Sequence, residues 1–162
     1  MATSTPTHQI TMYTDGAASG NPGPGGYGVV LLSGSHRKEL SEGFRLTTNN
    51  RMELLAVIIG LNALRFEGCQ VTIYSDSRYV VDAVEKGWVF TWEKNRFKKK
   101  KNPDLWQQFL QLYRRHHVRF IWVKGHASIA ENERCDQLAV TAYQATNLQI
   151  DEYYEKVGRF ES

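Results

Sequence analysis

From His8 to Asp15 the chain alternates, with Ile10, Met12 and Thr14 on one side and Thr11, Tyr13 and Asp15 on the other. A period of two predicts a strand with one buried face. Gly16 to Gly28, rich in Gly and Pro, reads as a turn. Val29 to Leu32 predicts a short buried strand, and Glu39 to Arg45 a third strand paired as a meander. The period then changes. Met52, Leu55, Ile59, Leu61 and Leu64 fall on a helical stripe within Arg51 to Phe66, and Thr48, Asn49 and Asn50 offer N-cap oxygens before it. Gly68 sits where such a helix would end.

Val71 to Asp76 alternates again as a strand, and Ser77 to Glu85 reads as a short helix. Trp88 to Trp92 is aromatic and fits either state, and Lys94 to Lys101 is a basic excursion. Asn102-Pro103-Asp104 predicts a helix start, with Asn as cap and Pro at the first helical position, running to about Arg115. Val118 to Val123 reads as a strand, Gly125 to Ala130 as a loop and Glu131 to Tyr143 as a helix. A meander followed by crossover connections predicts an α/β fold, a five-stranded mixed sheet flanked by helices.

Composition narrows the class. A chain of 162 residues suits one domain. With 41% hydrophobic and 23% charged residues it can bury a core, which excludes a disordered, collagen-like or coiled-coil chain. The expected division is a loose N-terminus over residues 1–7, a domain over 8–145 and a tail over 146–162. Cys69 and Cys135 have no CxxC spacing and predict two reduced, buried thiols rather than a disulfide framework or a zinc site. No apolar stretch approaches the roughly 20 residues of a membrane span, and Met1 to Gln9 carries no secretory signal, so a cytoplasmic protein without a membrane partner is expected. The net charge is +3, and Lys94, Arg96 and Lys98 to Lys101 crowd one segment. Such a run is either a solvated loop or a nucleic-acid contact.

Two predicted strands end alike, as Tyr13-Thr14-Asp15-Gly16 and Tyr74-Ser75-Asp76-Ser77. Open α/β sheets place ligand sites at the carboxyl ends of strands. Taken singly, each Asp fits a turn or a cap equally well. Glu53 in the first turn of the first long helix and Asp136 within the last one add two more acids at beginnings, ends or inward turns. Carboxylates gathered together repel and need compensation, which divalent cations supply. An all-oxygen donor set suits Mg²⁺ or Mn²⁺ rather than zinc, and a pair of such ions supports phosphodiester hydrolysis.

The stretches YTDGAASGNPGPGGYG, TTNNRMELLA, YSDSRYV and WVKGHA…ENERCDQLA resemble type 1 ribonuclease H, the bacterial-style, single-domain form. The resemblance runs from about His8 to Ala145 and keeps the family's motif order. It implies a ribonuclease H-like fold and an endonuclease that hydrolyses the RNA strand of RNA–DNA hybrids to 5′-phosphomonoesters. It also implies a two-metal mechanism with Mg²⁺, for which Mn²⁺ can substitute. Asp15, Glu53, Asp76 and Asp136 match the family's metal-binding acids, and His126 its loop histidine, which assists proton transfer or product release. Asn21, Asn49 and Asn50 match positions near the hybrid backbone and the RNA 2′-hydroxyls, and Thr48 and Asn102 a pocket for a DNA phosphate. These side chains also have ordinary turn and cap uses. Trp88 and Trp92 with Lys98, Lys99, Lys100 and Lys101 resemble a basic protrusion holding the DNA strand; Trp92 is expected in the core and Trp88 in a mixed role. The segment between Trp92 and Trp106 is shorter than the common form, and Arg78 and Ser128-Ile129-Ala130 depart from it. Nothing demands more than a monomer. Two rivals are a silent hybrid-binding module, which would lack an acid, and an integrase-like nuclease, which the GNPGPGGYG and TTNNRMEL stretches oppose.

Overall fold

The computed structural model describes residues 8–125 and 129–161. Three strands, β1 (Gln9–Ala18), β2 (Gly23–Ser33) and β3 (His36–Thr47), form an antiparallel meander. β4 (Gln70–Ser75) lies parallel to β1 on its other side, and β5 (His117–Trp122) lies parallel to β4. The order β3-β2-β1-β4-β5 makes the expected five-stranded mixed sheet. Parallel neighbours require crossovers, and helices supply them.

The strands reach further than their alternation predicts. Gly16 to Gly28 is not one long turn: β1 and β2 run through both ends of it, leaving only 19–22 as the connection. Its glycines serve packing. The helix α5 (Ala130–Tyr143) lies against this part of the sheet, and a Cβ on Gly28 would run into the Cys135 carbonyl. A residue type read as turn punctuation is here the condition for close helix–sheet approach.

The helix α1 (Asn49–Asn62) packs on β1 and β2, where Gly60 faces Met12 and Val29. Thr48 is its N-cap, its hydroxyl accepting from the Arg51 amide at 3.2 Å. The expected extension to Phe66 does not form. Ala63 closes the helix, Leu64 turns back onto the core, and Gly68 instead donates its amide to the Arg115 carbonyl at 2.8 Å. Short helices α2 (Arg78–Glu85) and α3 (Trp88–Lys94) follow β4, which resolves the ambiguous aromatic stretch as helical. The helix α4 (Pro103–Tyr113) packs on α1, with Trp106 and Phe109 fully buried. Asn102 precedes it but is not the side-chain cap the sequence predicts: φ is 61° and its side chain makes no capping bond. Its amide is engaged elsewhere, as described below.

The tail over 146–161 packs on the domain. Gln149 bridges to Phe44 alongside β3, and α6 (Glu152–Lys156) follows with a single 3₁₀ turn at Gly158–Phe160. Cys69 and Cys135 are buried and unpaired, as expected. Residues 1–7, expected to be a loose start, lie outside the described residues. Among the described residues no helix is long and apolar enough to cross a membrane.

Candidate active site

The carboxyl ends of β1 and β4 bring three acids together. Asp15 stands on β1, Asp76 follows the last residue of β4, and Glu53 comes from the first turns of α1. One oxygen from each lies within 4.8 Å of the others. The Gly16 amide ties two of them, donating to Asp15 Oδ1 at 2.9 Å and to Glu53 Oε1 at 2.7 Å. A Cβ on Gly16 would collide with the α1 backbone at Met52 and Glu53, so glycine there sets how closely α1 approaches the strand. Asp136 stands outside this triplet, on α5, which packs on the same end of the sheet. Its carboxyl is close enough to Asp15 to act on it by charge and by hydrogen bond. All four acids predicted from sequence therefore meet at one place.

The cluster is electrostatically uncomfortable. Burial, then the charges of Asp76 and Asp136 and a bond to Asp136, push the Asp15 carboxyl up to about 8, against the pull of the Gly16 amide. Burial first, then Asp15 and Asp76, hold Glu53 well above the usual carboxylate range. No Lys or Arg contributes to either shift. An all-oxygen, half-buried donor set with surplus negative charge is what a hard divalent cation fits.

The neighbourhood of Asp76 is built in part by Trp122, to which the sequence reading gave no role, and by Arg78, read there only as a departure from the common form. Trp122 Nε1 donates to the Asp76 carbonyl at 3.2 Å, and the Arg78 guanidinium lies 3.8 Å above the Trp122 ring. A Cβ on Gly125 would stand 3.2 Å from Asp76 Oδ2. His126, the next residue, lies outside the described residues. Asn132, one turn before Asp136 on α5, is buried with its Oδ1 unpaired among the described residues. Its place in ENERCDQLA was the available signal.

The proposed substrate residues fall into two groups. Asn21, in the β1–β2 connection, accepts from the Asn49 amide at 3.1 Å through its Oδ1. This joins Asn21 to Thr48, Asn49 and Asn50 at the start of α1, beside Glu53. Asn49 and Asn50 are exposed and Thr48 half-buried. Asn102 is buried: its Oδ1 accepts from Arg51 Nη1 at 3.2 Å, and its Nδ2 donates to the Tyr79 hydroxyl at 3.0 Å.

Arg51 was missed by sequence reasoning and is the hub of this region. It is 2% exposed. It makes two bonds to Asp104, at 2.9 and 2.7 Å, and two to Asp151, at 2.7 and 3.0 Å. A buried guanidinium needs such partners. They lie 53 and 100 residues away in sequence, so spacing gave no sign of them.

The basic segment forms a separate feature. Trp88 is 47% exposed and Lys98, Lys99, Lys100 and Lys101 are exposed, while Phe97 is buried and anchors the turn. Arg96, Phe97, Lys99 and Asn102 all take positive φ, which side chains rarely adopt. Trp92 packs edge-on to Trp106 at 5.8 Å, joining the core as expected.

Comparison with known proteins gives one consistent result. The RNase H family model matches residues 7–144. The chain is 58% identical over 155 residues to a ribonuclease H of Rippkaea orientalis, covering 93% of this chain and 94% of that one. It is 62% identical over 148 residues to a ribonuclease H of Desulforamulus reducens, covering 88% and 92%. Among solved structures it is similar to LC9-RNase H1, a type 1 RNase H with the type 2 active-site motif, at a TM-score of 0.80 and 32% identity, covering 96% and 84%. It is also similar to LC11-RNase H1 solved in complex with an RNA/DNA hybrid, at a TM-score of 0.64 and 26% identity, covering 83% and 96%.

Proposed function

Because the chain belongs to the ribonuclease H family, and is therefore an endonuclease acting on RNA–DNA hybrids, we propose that Asp15, Glu53, Asp76 and Asp136 are its catalytic, metal-holding acids. The observation that carries the assignment is the meeting of Asp15, Glu53 and Asp76 within 4.8 Å at the strand ends, with no Lys or Arg among the described residues contributing to the shifts of Asp15 and Glu53. Two Mg²⁺ ions fit this donor set, with Mn²⁺ as a substitute. When bound, they offset the carboxylate charge and assist water in attacking the scissile phosphate.

The chain's own part is positioning. Asp15, central to the cluster, would hold both ions, and Glu53, Asp76 and Asp136 would supply the remaining carboxylate donors. The Gly16 amide fixes two of these carboxylates before substrate arrives. His126 takes up or delivers the proton that the leaving oxygen requires, a role an imidazole fills near neutral pH. Asn21, Thr48, Asn49 and Asn50 lie where the hybrid backbone and the RNA 2′-hydroxyls pass. The 2′-hydroxyl is the group by which a protein distinguishes RNA from DNA. Asn102 with Thr48 grips a DNA phosphate, and Trp88 with Lys98, Lys99, Lys100 and Lys101 steadies the DNA strand through charge and surface contact.

In this reading residues 8–145 are the nuclease domain and 146–162 its C-terminal brace, and the protein works as a cytoplasmic monomer. The test presents one end-labelled RNA strand alone, paired with RNA and paired with DNA, each with Mg²⁺ and with chelator. Internal cuts in the DNA-paired strand alone, and only with metal, are expected. Cutting of single-stranded RNA, or equal cutting with chelator, would overturn the proposal.

A further inference from the structure

Arg51 is buried, yet it touches both side chains assigned to the DNA phosphate. Its backbone amide donates to Thr48 Oγ1 at 3.2 Å, and its Nη1 donates to Asn102 Oδ1 at 3.2 Å. Its remaining hydrogens are taken. Nε and Nη2 donate to Asp151 at 2.7 and 3.0 Å, and Nη1 and Nη2 donate to Asp104 at 2.9 and 2.7 Å. These bonds exhaust the N–H donors of a guanidinium, so none is left for a ligand. The two aspartates already meet the Arg51 charge, and the bond to Asn102 is one that the charge does not require.

The consequence for Asn102 is chemical. A carboxamide ordinarily offers both a donor and an acceptor. Arg51 can only donate, so the end of the amide that faces it is the oxygen. Nδ2 then gives one hydrogen to the Tyr79 hydroxyl at 3.0 Å. That hydroxyl also accepts from Trp106 Nε1, itself a donor only, at 2.8 Å. The second Nδ2 hydrogen has no partner among the described residues, and the side chain makes no capping bond to α4. Thr48 is fixed in the same way: with the Arg51 amide on its oxygen, its O–H is left to donate. Two spare donors side by side suit a phosphate oxygen.

We propose that Arg51 and Tyr79 are positioning residues for the DNA-strand phosphate. They hold the Thr48 hydroxyl and the Asn102 amide as a pair of donors and do not touch the phosphate themselves. This rests on the reading of Thr48 and Asn102 as the phosphate grip and deepens it.

The test uses the full chain in Mg²⁺ and a hybrid whose RNA strand is 2′-O-methylated except around one cleavage site. The DNA strand carries a single uncharged methylphosphonate, placed at each position in turn. KM and kcat are measured for the unaltered protein, Asn102→Ala, Tyr79→Phe and Arg51→Lys, with circular dichroism verifying each fold. For the unaltered protein, one DNA position should raise KM about tenfold, the scale of a charge-assisted hydrogen bond. Asn102→Ala should raise KM about tenfold on the all-phosphate hybrid and add nothing at that position. Tyr79→Phe should raise KM about threefold or more with kcat unchanged, and should likewise add nothing there. The dependence of its KM on salt should match the unaltered protein, because no cation has been taken from a phosphate. Arg51→Lys should follow Tyr79→Phe, which carries the test alone if the lysine variant does not fold. If Asn102→Ala shows the position-specific effect while Tyr79→Phe raises KM equally at every position, lowers kcat alone or changes nothing, the positioning role is overturned and the phosphate grip stands. If Asn102→Ala singles out no position, the grip itself falls and the positioning role with it.

Discussion

Asp15 is 7% exposed and shares its surroundings with three further acids. Removing its charge should therefore stabilise the metal-free fold even as it destroys the site. Asp15→Asn keeps the shape and an acceptor for the Gly16 amide while ending the repulsion. The expected result in chelator is a rise in melting temperature of several degrees, equivalent to about 1–2 kcal/mol, with cleavage lost. A melting temperature that falls would mean that the cluster is not strained. At this scale much was legible. Asp15 and Asp76 announced themselves by ending two strands in the same way, and Glu53 by its place in the first turns of a helix. Arg51 was not legible, because a lone Arg before Met52 looks like any helix residue. Only folding shows that it is buried between two aspartates. Asn102 was half legible: it stands before α4, but its amide serves Arg51 and Tyr79 rather than the helix end.

Elements were read best where one period ran without interruption. β4, α2 and β5 lie within a residue or two of their expected limits. The Gly/Pro stretch between Gly16 and Gly28 misled, because glycine marks both a turn and a strand under a closely packed helix. Gly28 belongs to the second kind, and its reason, the Cys135 backbone, is more than a hundred residues away in sequence. The end of α1 misled for a related reason: the apolar stripe continues to Leu64 and Phe66, but Leu64 reaches the core from a turn, while Phe66 is left exposed. The basic element was legible in composition but not in shape. Phe97 pins it, and Lys98 to Lys101 project as exposed cations. Replacing these four lysines by alanine should weaken hybrid binding and flatten its salt dependence, the slope falling by about one for each lysine that meets a phosphate. Binding measured across a salt series checks this, and an unchanged slope would make the segment a bystander.

The whole molecule places its acids at one end of the sheet and holds that end together from behind. Arg51 connects α1 to the start of α4 through Asp104 and to the tail through Asp151, which also accepts from Thr47 Oγ1 at 2.8 Å. Arg45 adds an exposed paired contact to Glu155 at 2.8 Å. The tail is thus part of the structure that holds the first turn of α1 through Arg51, two residues before Glu53. Asp151→Ala leaves a buried guanidinium short of one partner and should cost up to about 3–5 kcal/mol. Denaturant unfolding checks this, and a midpoint unchanged from the unaltered protein would contradict the bracing role. The measurement closest to the central claim compares the unaltered protein with Asp76→Asn on an end-labelled RNA–DNA hybrid in Mg²⁺, with circular dichroism verifying both folds. The account predicts metal-dependent internal cuts in the RNA strand by the first and none above background by the folded variant. Turnover retained by folded Asp76→Asn would contradict the carboxylate cluster as the catalytic centre.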